Sequence, residues 1–115
     1  MDYYEAWFEL KESSKDLEFA ANLDRYMSHL RDQGLIEGYR LARRKLGFGP
    51  SDLGDFHLTI DVRDLAQLER AFGVVKTREP EIEKFHAPVY SAVKNIRFAL
   101  FRDFPDRPAP PSGGS

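Results

Sequence analysis

The chain has 115 residues, 42% of them hydrophobic, which suits one domain with a single modest core and excludes two. Its 17 Lys and Arg residues nearly balance 19 Asp and Glu residues, so the formal net charge is −2, and this balance disfavours a dedicated nucleic-acid binder. Cysteine is absent, which excludes disulfides, thiolate nucleophiles and thiolate metal ligands.

The N-terminal part of the sequence predicts a strand followed by a helix. Tyr3 to Leu10 alternates between two sets of side chains, as a strand does. Ser13, followed three residues later by Asp16, predicts the start of a helix that runs to about Gln33. Gly34 suits the left-handed conformation that ends a helix. The apolar stripe of this helix is Phe19, Leu23, Tyr26, Met27 and Leu30.

The middle of the sequence predicts two strands joined by a loop. Leu35 to Gly47 fits a strand or a short helix, and we predict an edge strand because its basic side chains discourage pairing with other chains. Phe48 to Asp55 is rich in Gly, Pro and Asp and predicts a hairpin loop. Phe56 to Arg63 alternates strictly, with apolar residues at even positions and polar residues at odd ones, and predicts a central strand with one covered face.

The C-terminal part predicts further helix and a last strand. Asp64 predicts a helix N-cap. Pro80 suits a first helical turn, and Pro88 must kink or split the helix that follows because proline lacks an N–H. We expect that helix to end at Asn95, and Ile96 to Phe101 to form the fourth strand. The stripe after the cap is Leu65, Leu68, Phe72 and Val75.

The element order is β-α-β-β-α-β, which predicts an α+β, ferredoxin-like sandwich with a four-stranded antiparallel sheet. Strands one and three lie in the middle, and the helices cover the apolar face. We expect one domain over residues 1–103 and a disordered Pro- and Gly-rich tail over residues 104–115. The open face has too many aromatic residues for plain solvent. It carries Tyr3, Glu5, Trp7, Glu9, Arg40, His57, Thr59, Asp61, Arg63, Arg97 and Phe101.

In element order and patterning over Tyr3 to Asp103, the chain resembles the dimeric α/β barrel superfamily, and uncharacterised bacterial members most of all. Two ferredoxin-like subunits of that superfamily press their open sheet faces together around a cavity. Its members include cofactor-free monooxygenases, muconolactone isomerases and haem-degrading enzymes. No stretch matches the catalytic motif of one branch. The resemblance therefore implies the architecture, a homodimer and a cavity, and assigns no catalytic residue.

The open face holds the candidate site residues. His57 and Glu5 fall on neighbouring central strands, so they can form a histidine–carboxylate pair able to act as a general base. The alternative is a structural hydrogen bond in a polar interface, and a register shift of one residue would separate the two groups. With Asp61 they are the candidate catalytic residues. The candidate ligand-binding residues are Tyr3, Trp7, Arg40, Thr59, Arg97 and Phe101.

Two other groups of residues each allow a structural and a functional interpretation. His86 and Tyr90 share a helix face, and a partly buried helix histidine is favoured over a haem or metal ligand. The basic residues Arg40, Arg43, Arg44 and Lys45 suit a solvated edge strand better than a site for an anionic ligand.

We therefore expect a homodimer that binds an apolar or aromatic small molecule between its sheet faces. It could act on that molecule as a cofactor-independent oxygenase or isomerase, and whether it catalyses anything is left open. The alternatives are a non-catalytic structural or ligand-binding homodimer and, remotely, an RNA-recognition sheet, whose third-strand motif this chain lacks. We expect no cofactor, no metal and no membrane contact. Without a membrane span or signal peptide, a cytoplasmic location is expected.

Overall fold

Four antiparallel strands form one sheet, and all helices of the described chain are connections between them. A computed structural model describes residues 1–105, so most of the predicted tail lies outside the described residues. The sheet order is β2-β3-β1-β4, which confirms the predicted ferredoxin-like arrangement with strands one and three in the middle. The elements are β1 (Asp2–Leu10), α1 (Asp16–Asp32), β2 (Gly38–Arg43), β3 (Phe56–Val62), α2 (Leu65–Lys76), α3 (Pro80–Tyr90) and β4 (Val93–Arg102).

The register of the central strands sets which side chains share a face. In the β1–β3 pair, Glu5 lies opposite Thr59 and Trp7 lies opposite His57. On the other side of β1, Trp7 lies opposite Arg97. Because side chains alternate along each strand, these residues all project from the face away from the helices.

The helix ends follow local side-chain chemistry with one exception. Asp64 caps α2 as predicted, and its carboxylate accepts a hydrogen bond from the backbone N–H of Gln67 at 2.9 Å. Gly34 follows α1 with a φ of 73°, the left-handed conformation that glycine tolerates best. The prediction that Ser13 caps α1 was wrong. A 3-10 turn occupies residues 13–15, and the Asp16 carboxylate accepts from the N–H of Leu17 instead.

The start of β4 differs from the predicted boundary. The helix ends at Tyr90 rather than at Asn95, and β4 begins at Val93, which pairs with Leu10. Asn95 lies within the strand with a φ of 54°, where the β1–β4 register shifts. Residues that fit the helical spacing therefore joined the sheet, because pairing with β1 satisfies their backbone groups. The helix continues through Pro88 without splitting.

The second strand is shorter than predicted, and the loop after it is tied to the sheet. β2 covers Gly38–Arg43, and the Arg44 side chain beyond it donates to the carbonyls of Pro50, Leu53 and Gly54. A Cβ on Gly54 would overlap the backbone of Phe8, so the loop can pass this strand only with glycine there.

The core lies between the helices and the covered face of the sheet. Its fully buried apolar members include Phe8, Leu23, Met27 and Val62. Burial of such a side chain stabilises the fold by about 1.5–3 kcal/mol. Leu65 and Phe72 of the predicted α2 stripe stay half-exposed. In the described residues, no helix is both long and apolar enough to cross a membrane.

Gln67 is a buried polar residue that hydrophobic periodicity could not identify. Its side chain is fully buried and forms three hydrogen bonds with two connecting segments, the one between α1 and β2 and the one between β3 and α2. It accepts from the backbone N–H of Arg63 and donates to the carbonyl of Gly34 and to the Glu37 carboxylate. Because each polar atom has a partner, Gln67 joins α2 to the end of α1 without a desolvation penalty.

Candidate functional site

The centre of the open sheet face holds a compact cluster of polar and aromatic side chains. His57 Nε2 lies 2.7 Å from Glu5 Oε1, so the structure brings together the two residues that the sequence placed on one face. The Thr59 hydroxyl donates to the same carboxylate oxygen at 3.2 Å. The Trp7 indole stacks on the imidazole with 4.6 Å between ring centroids and 5° between planes. We call these four residues the open-face cluster.

The open-face cluster is ordered by its own contacts. The side chain of Glu5 is 14% exposed and that of His57 is 35% exposed, while Thr59 is buried. The indole covers one face of the imidazole, and the carboxylate fixes its Nε2. If Nε2 carries the proton, Nδ1 is the nitrogen that can accept one from a ligand. The arrangement can therefore serve as a base or as a structural hydrogen bond.

The other predicted site residues lie on the same face but do not converge on this cluster. Asp61 lies opposite Tyr3, and no hydrogen bond joins it to Glu5 or His57. The Tyr3 hydroxyl donates to Asp103 at 2.6 Å, and this bond raises the pKa of Tyr3. Arg97 donates to the Asp52 carboxylate at 3.1 Å, so it bridges to the loop before β3.

Two of the predicted ligand-binding residues lie near the open edges of this face. Arg40 lies opposite Thr59 on the edge strand β2 and is exposed. Phe101 lies opposite Tyr3 on the edge strand β4 and is 54% exposed. An exposed aromatic ring on the same sheet face as a half-buried tryptophan is typical of a surface that another molecule covers.

Two basic residues at the end of β2 contact other parts of the chain. Arg43 forms an ion pair with Asp16 at 2.8 Å and lies over the ring of Phe56 at 4.7 Å from its centroid. Arg44 is 14% exposed and holds the following loop. The cluster therefore gives no common surface to an anionic ligand.

A cavity of about 230 Å³ lies on the opposite side of the sheet, between the covered face and the helices. Side chains of β1, β3 and β4 and of all three helices line it, and nearly all are apolar. The polar exceptions are Tyr4, Tyr26, His86 and Tyr90. Two other depressions, of about 300 Å³ near Lys11 and about 620 Å³ near Arg43, have charged side chains in their walls. Sequence patterns did not predict this apolar cavity, and only the unassigned pair His86 and Tyr90 pointed to its wall.

Aromatic rings surround the opening of the cavity. The lining residues Phe72, Tyr90 and Phe98 are 48%, 61% and 54% exposed, whereas most of the other walls are buried. Tyr4 packs between two of them, with centroids 5.1 Å from Phe72 and 5.3 Å from Phe98. The cavity therefore opens between α2, α3 and β4, where an aromatic ligand would meet ring faces and edges.

The polar side chains of the cavity gather where α1 meets α3. The His86 ring meets the edge of Tyr26 at 5.8 Å and stacks on Tyr90 at 5.2 Å. Burial and the nearby Glu83 carboxylate raise the pKa of Tyr26 to about 12. Burial also raises the pKa of Tyr4. Among residues 1–105, no three His, Cys, Asp or Glu side chains are grouped so as to hold a metal ion.

Comparison with known proteins assigns the family. Residues 1–112 match a family of unknown function, DUF6614. The chain belongs to this family. No curated protein sequence matches the DUF6614 chain.

Solved structures share the fold at low identity. The cofactor-independent oxygenase SnoaB from Streptomyces nogalater superposes on the DUF6614 chain with a TM-score of 0.66 and 13% identity, over 91% of this chain and 97% of that one. A dimeric ferredoxin-like protein of unknown function from Bacteroides fragilis gives 0.61 and 9%, over 89% and 95%. Another from Jannaschia gives 0.60 and 15%, over 89% and 98%. At these identities the likeness establishes the fold alone, as the sequence predicted.

Proposed function

We propose that this DUF6614 protein binds an apolar or aromatic small molecule in the cavity between its sheet and its helices. The observation that carries the proposal is the apolar void of about 230 Å³ with an aromatic opening. Because the walls are apolar and the cavity is open to solvent, an apolar ligand that enters it removes its own surface and that of the walls from water, which is worth about 25 cal/mol per Å².

The open sheet face is proposed to join two copies of the chain in a homodimer. Trp7 lies at its centre, and Phe101 on β4 is half-exposed to solvent in the single chain. Tryptophan in the middle of a sheet face is a typical interface anchor. The fold neighbours from Bacteroides fragilis and Jannaschia are described as dimeric, which supports the same assembly here.

An oxygenase- or isomerase-like reaction on the bound molecule is the finer form of the proposal. Its support is the fold shared with SnoaB, a cofactor-independent oxygenase, and with an antibiotic biosynthesis monooxygenase, together with a histidine in the cavity wall. The alternative is a homodimer that binds the molecule without chemistry. Turnover of a bound aromatic compound in the presence of oxygen would separate the two.

A second candidate site is the space between the two open faces. The close contact between His57 and Glu5 favours it, since a ligand held there would meet a histidine whose orientation is fixed. Asp61, Tyr3, Arg40, Arg97 and Phe101 would then line the walls. In this alternative, replacing His57 with alanine would lower kcat by about a hundredfold or more while the dimer persists.

The test of the main proposal uses a neutral aromatic probe and one cavity-filling substitution. Equilibrium dialysis would measure the binding of 4-nitroanisole to wild type, Ala71→Met and Ala66→Met. Ala71 lines the cavity and is buried, while Ala66 lies on the same helix and is exposed. We expect Ala71→Met to weaken binding at least about tenfold, which is about 1.4 kcal/mol, and Ala66→Met to match wild type. Equal binding by both variants would contradict the cavity as the site.

A retained natural ligand is tested separately. Native mass spectrometry of freshly purified protein would detect a bound small molecule, and we expect its mass adduct to be reduced in Ala71→Met. An adduct of equal intensity in the two proteins would place that molecule elsewhere.

A further inference from the structure

Two buried polar atoms beside the cavity have no hydrogen-bond partner in the described part of the chain. They are Oε2 of Glu83 and Nδ1 of His86, which lie three residues apart on α3. His86 Nδ1 is 3.5 Å from the other oxygen of Glu83, which is an ion-pair distance without hydrogen-bond geometry. Buried polar atoms nearly always have partners, so a pair without them needs an explanation.

The imidazole of His86 is held in place by packing rather than by hydrogen bonds. Tyr26 of α1 meets it edge-on, and Tyr90 of α3 stacks on it with 21° between the planes. His86 lines the cavity, and no hydrogen bond to its Nε2 is found within residues 1–105. At 3.5 Å, a small rotation of the Glu83 side chain would bring its carboxylate within hydrogen-bond reach of Nδ1. The proton then resides on Nδ1, and Nε2 is the atom that accepts.

The titratable groups around His86 come from α1, α3 and the sheet. The titratable groups that face it are Tyr26 from α1, Glu83 and Tyr90 from α3, and Tyr4 across the cavity from the sheet. His29 of α1 stacks on Phe85 instead. The described cavity walls contain no Lys or Arg, so an imidazolium would be the one cation available to a bound anion and to Glu83.

We propose that Glu83 and His86 form the proton-accepting end of the cavity and select ligands with an acidic hydroxyl, such as a phenol or an enol. This inference rests on the proposed binding in the cavity. In the step, the ligand O–H bond breaks and the proton binds to His86 Nε2. The electron pair stays on the ligand oxygen, so a phenolate or enolate lies beside the imidazolium, and Glu83 balances its charge. The step needs no oxidant. His86 is the base that touches the ligand, and Glu83 is a positioning residue.

The experiment compares two probes that differ only in the hydroxyl. 4-Nitrophenol reports its ionisation through its absorbance, while 4-nitroanisole carries a methyl ether and cannot ionise. In a pH titration of wild type, we expect the bound 4-nitrophenol to be at least about tenfold more ionised than the free compound, a shift of about one pH unit. His86→Gln should remove that shift, and its affinity for 4-nitroanisole, measured alongside, separates loss of the base from loss of the cavity.

The further variants separate a base from a merely structural histidine. Glu83→Gln should reduce the shift in the same direction as His86→Gln. His29→Gln, an imidazole on the neighbouring helix outside the cavity walls, should leave it unchanged. Circular dichroism would verify that each variant is folded, and if His86→Gln is not, Glu83→Gln carries the test.

Three results would overturn the inference, and one of them also removes the proposed function. Binding of both probes without a shift in ionisation would contradict the inference and leave cavity binding intact. A wild-type shift that persists in folded His86→Gln or Glu83→Gln protein would also contradict it. If neither probe binds, both proposals fail together.

Discussion

Polar groups on the two sides of the sheet differ in how many hydrogen-bond partners they have. On the open face, His57 and Thr59 both contact the Glu5 carboxylate. On the side covered by helices, Glu83 and His86 of α3 have buried atoms without hydrogen-bond partners, next to the apolar cavity. The Glu5 carboxylate already has two partners, so a ligand that bound to it would have to break bonds that exist in the free protein. A ligand in the apolar cavity would fill its volume and could also supply a hydrogen-bond partner to the buried atoms of Glu83 and His86.

The largest effect is expected from a substitution that disrupts the proposed dimer interface on the open face. Trp7→Glu would add a charge on each side of the proposed dimer interface, where an unpaired charge costs about 3–5 kcal/mol. We expect a monomer or an unfolded chain. Light scattering would measure the mass of the variant, and circular dichroism would show whether it is folded. Leu17→Glu is the control, because Leu17 is 82% exposed on α1. A Trp7→Glu dimer as tight as wild type would show that this face is not the interface.

The next effect tests whether the open-face network is complete. Glu5→Ala removes the carboxylate that binds both His57 and Thr59, and Thr59 is buried. We expect the free energy of unfolding to fall by about 1.5–3 kcal/mol in urea titrations, the range for hydrogen bonds to a charged group. A loss below about 0.5 kcal/mol would mean that the cluster stabilises nothing in the folded chain.

A third effect is the pH dependence of stability that the burial of Tyr26 in the cavity wall should cause. The pKa of Tyr26 is raised to about 12, while an unfolded tyrosine ionises near its ordinary value of 10.0. The unfolded chain therefore loses this proton first, and the stabilisation present below about pH 10 declines as pH rises toward 12, by up to about 1.4 kcal/mol per pH unit. Tyr26→Phe should flatten that decline, whereas Tyr90→Phe, at an exposed position, should not. Identical alkaline curves for wild type and Tyr26→Phe would contradict the assignment.

The smallest expected effect is the counterpart of Glu5→Ala on the covered face. The side chain of Glu83 makes no hydrogen bond within the described residues, so Glu83→Ala removes none. We expect the free energy of unfolding to change by less than about 0.5 kcal/mol in the ligand-free protein. Destabilisation comparable to that of Glu5→Ala would show that the two faces do not differ in the way described.

Local chemistry explains which parts of the fold the sequence predicts. The strict alternation of β3 assigned its faces correctly, because one residue of shift would have exposed Phe56 and Ile60. Asp64 at its cap position fixed the start of α2. The sequence predicts that the fourth strand begins at Ile96, but pairing with β1 extends it back to Val93. Such choices depend on partners distant in sequence.

The candidate site was harder to predict than the fold. That Glu5 and His57 meet depends on strand register, which neither strand encodes alone. The cavity depends on how far three helices stand from the sheet, a quantity set by the sum of many side-chain contacts. His86 and Tyr90 were noticed by their spacing, but the absence of hydrogen-bond partners at Glu83 and His86 is a three-dimensional property.

The central claim is that the ligand site lies between sheet and helices rather than on the open face, and mapping of the probe by nuclear magnetic resonance tests it most directly. Addition of 4-nitroanisole to labelled wild type should shift the signals of cavity residues such as Leu23, Met27 and Val89. The indole N–H of Trp7 and the ring of His57 should stay in place. Shifts confined to Trp7 and His57, with the cavity residues unmoved, would contradict the account.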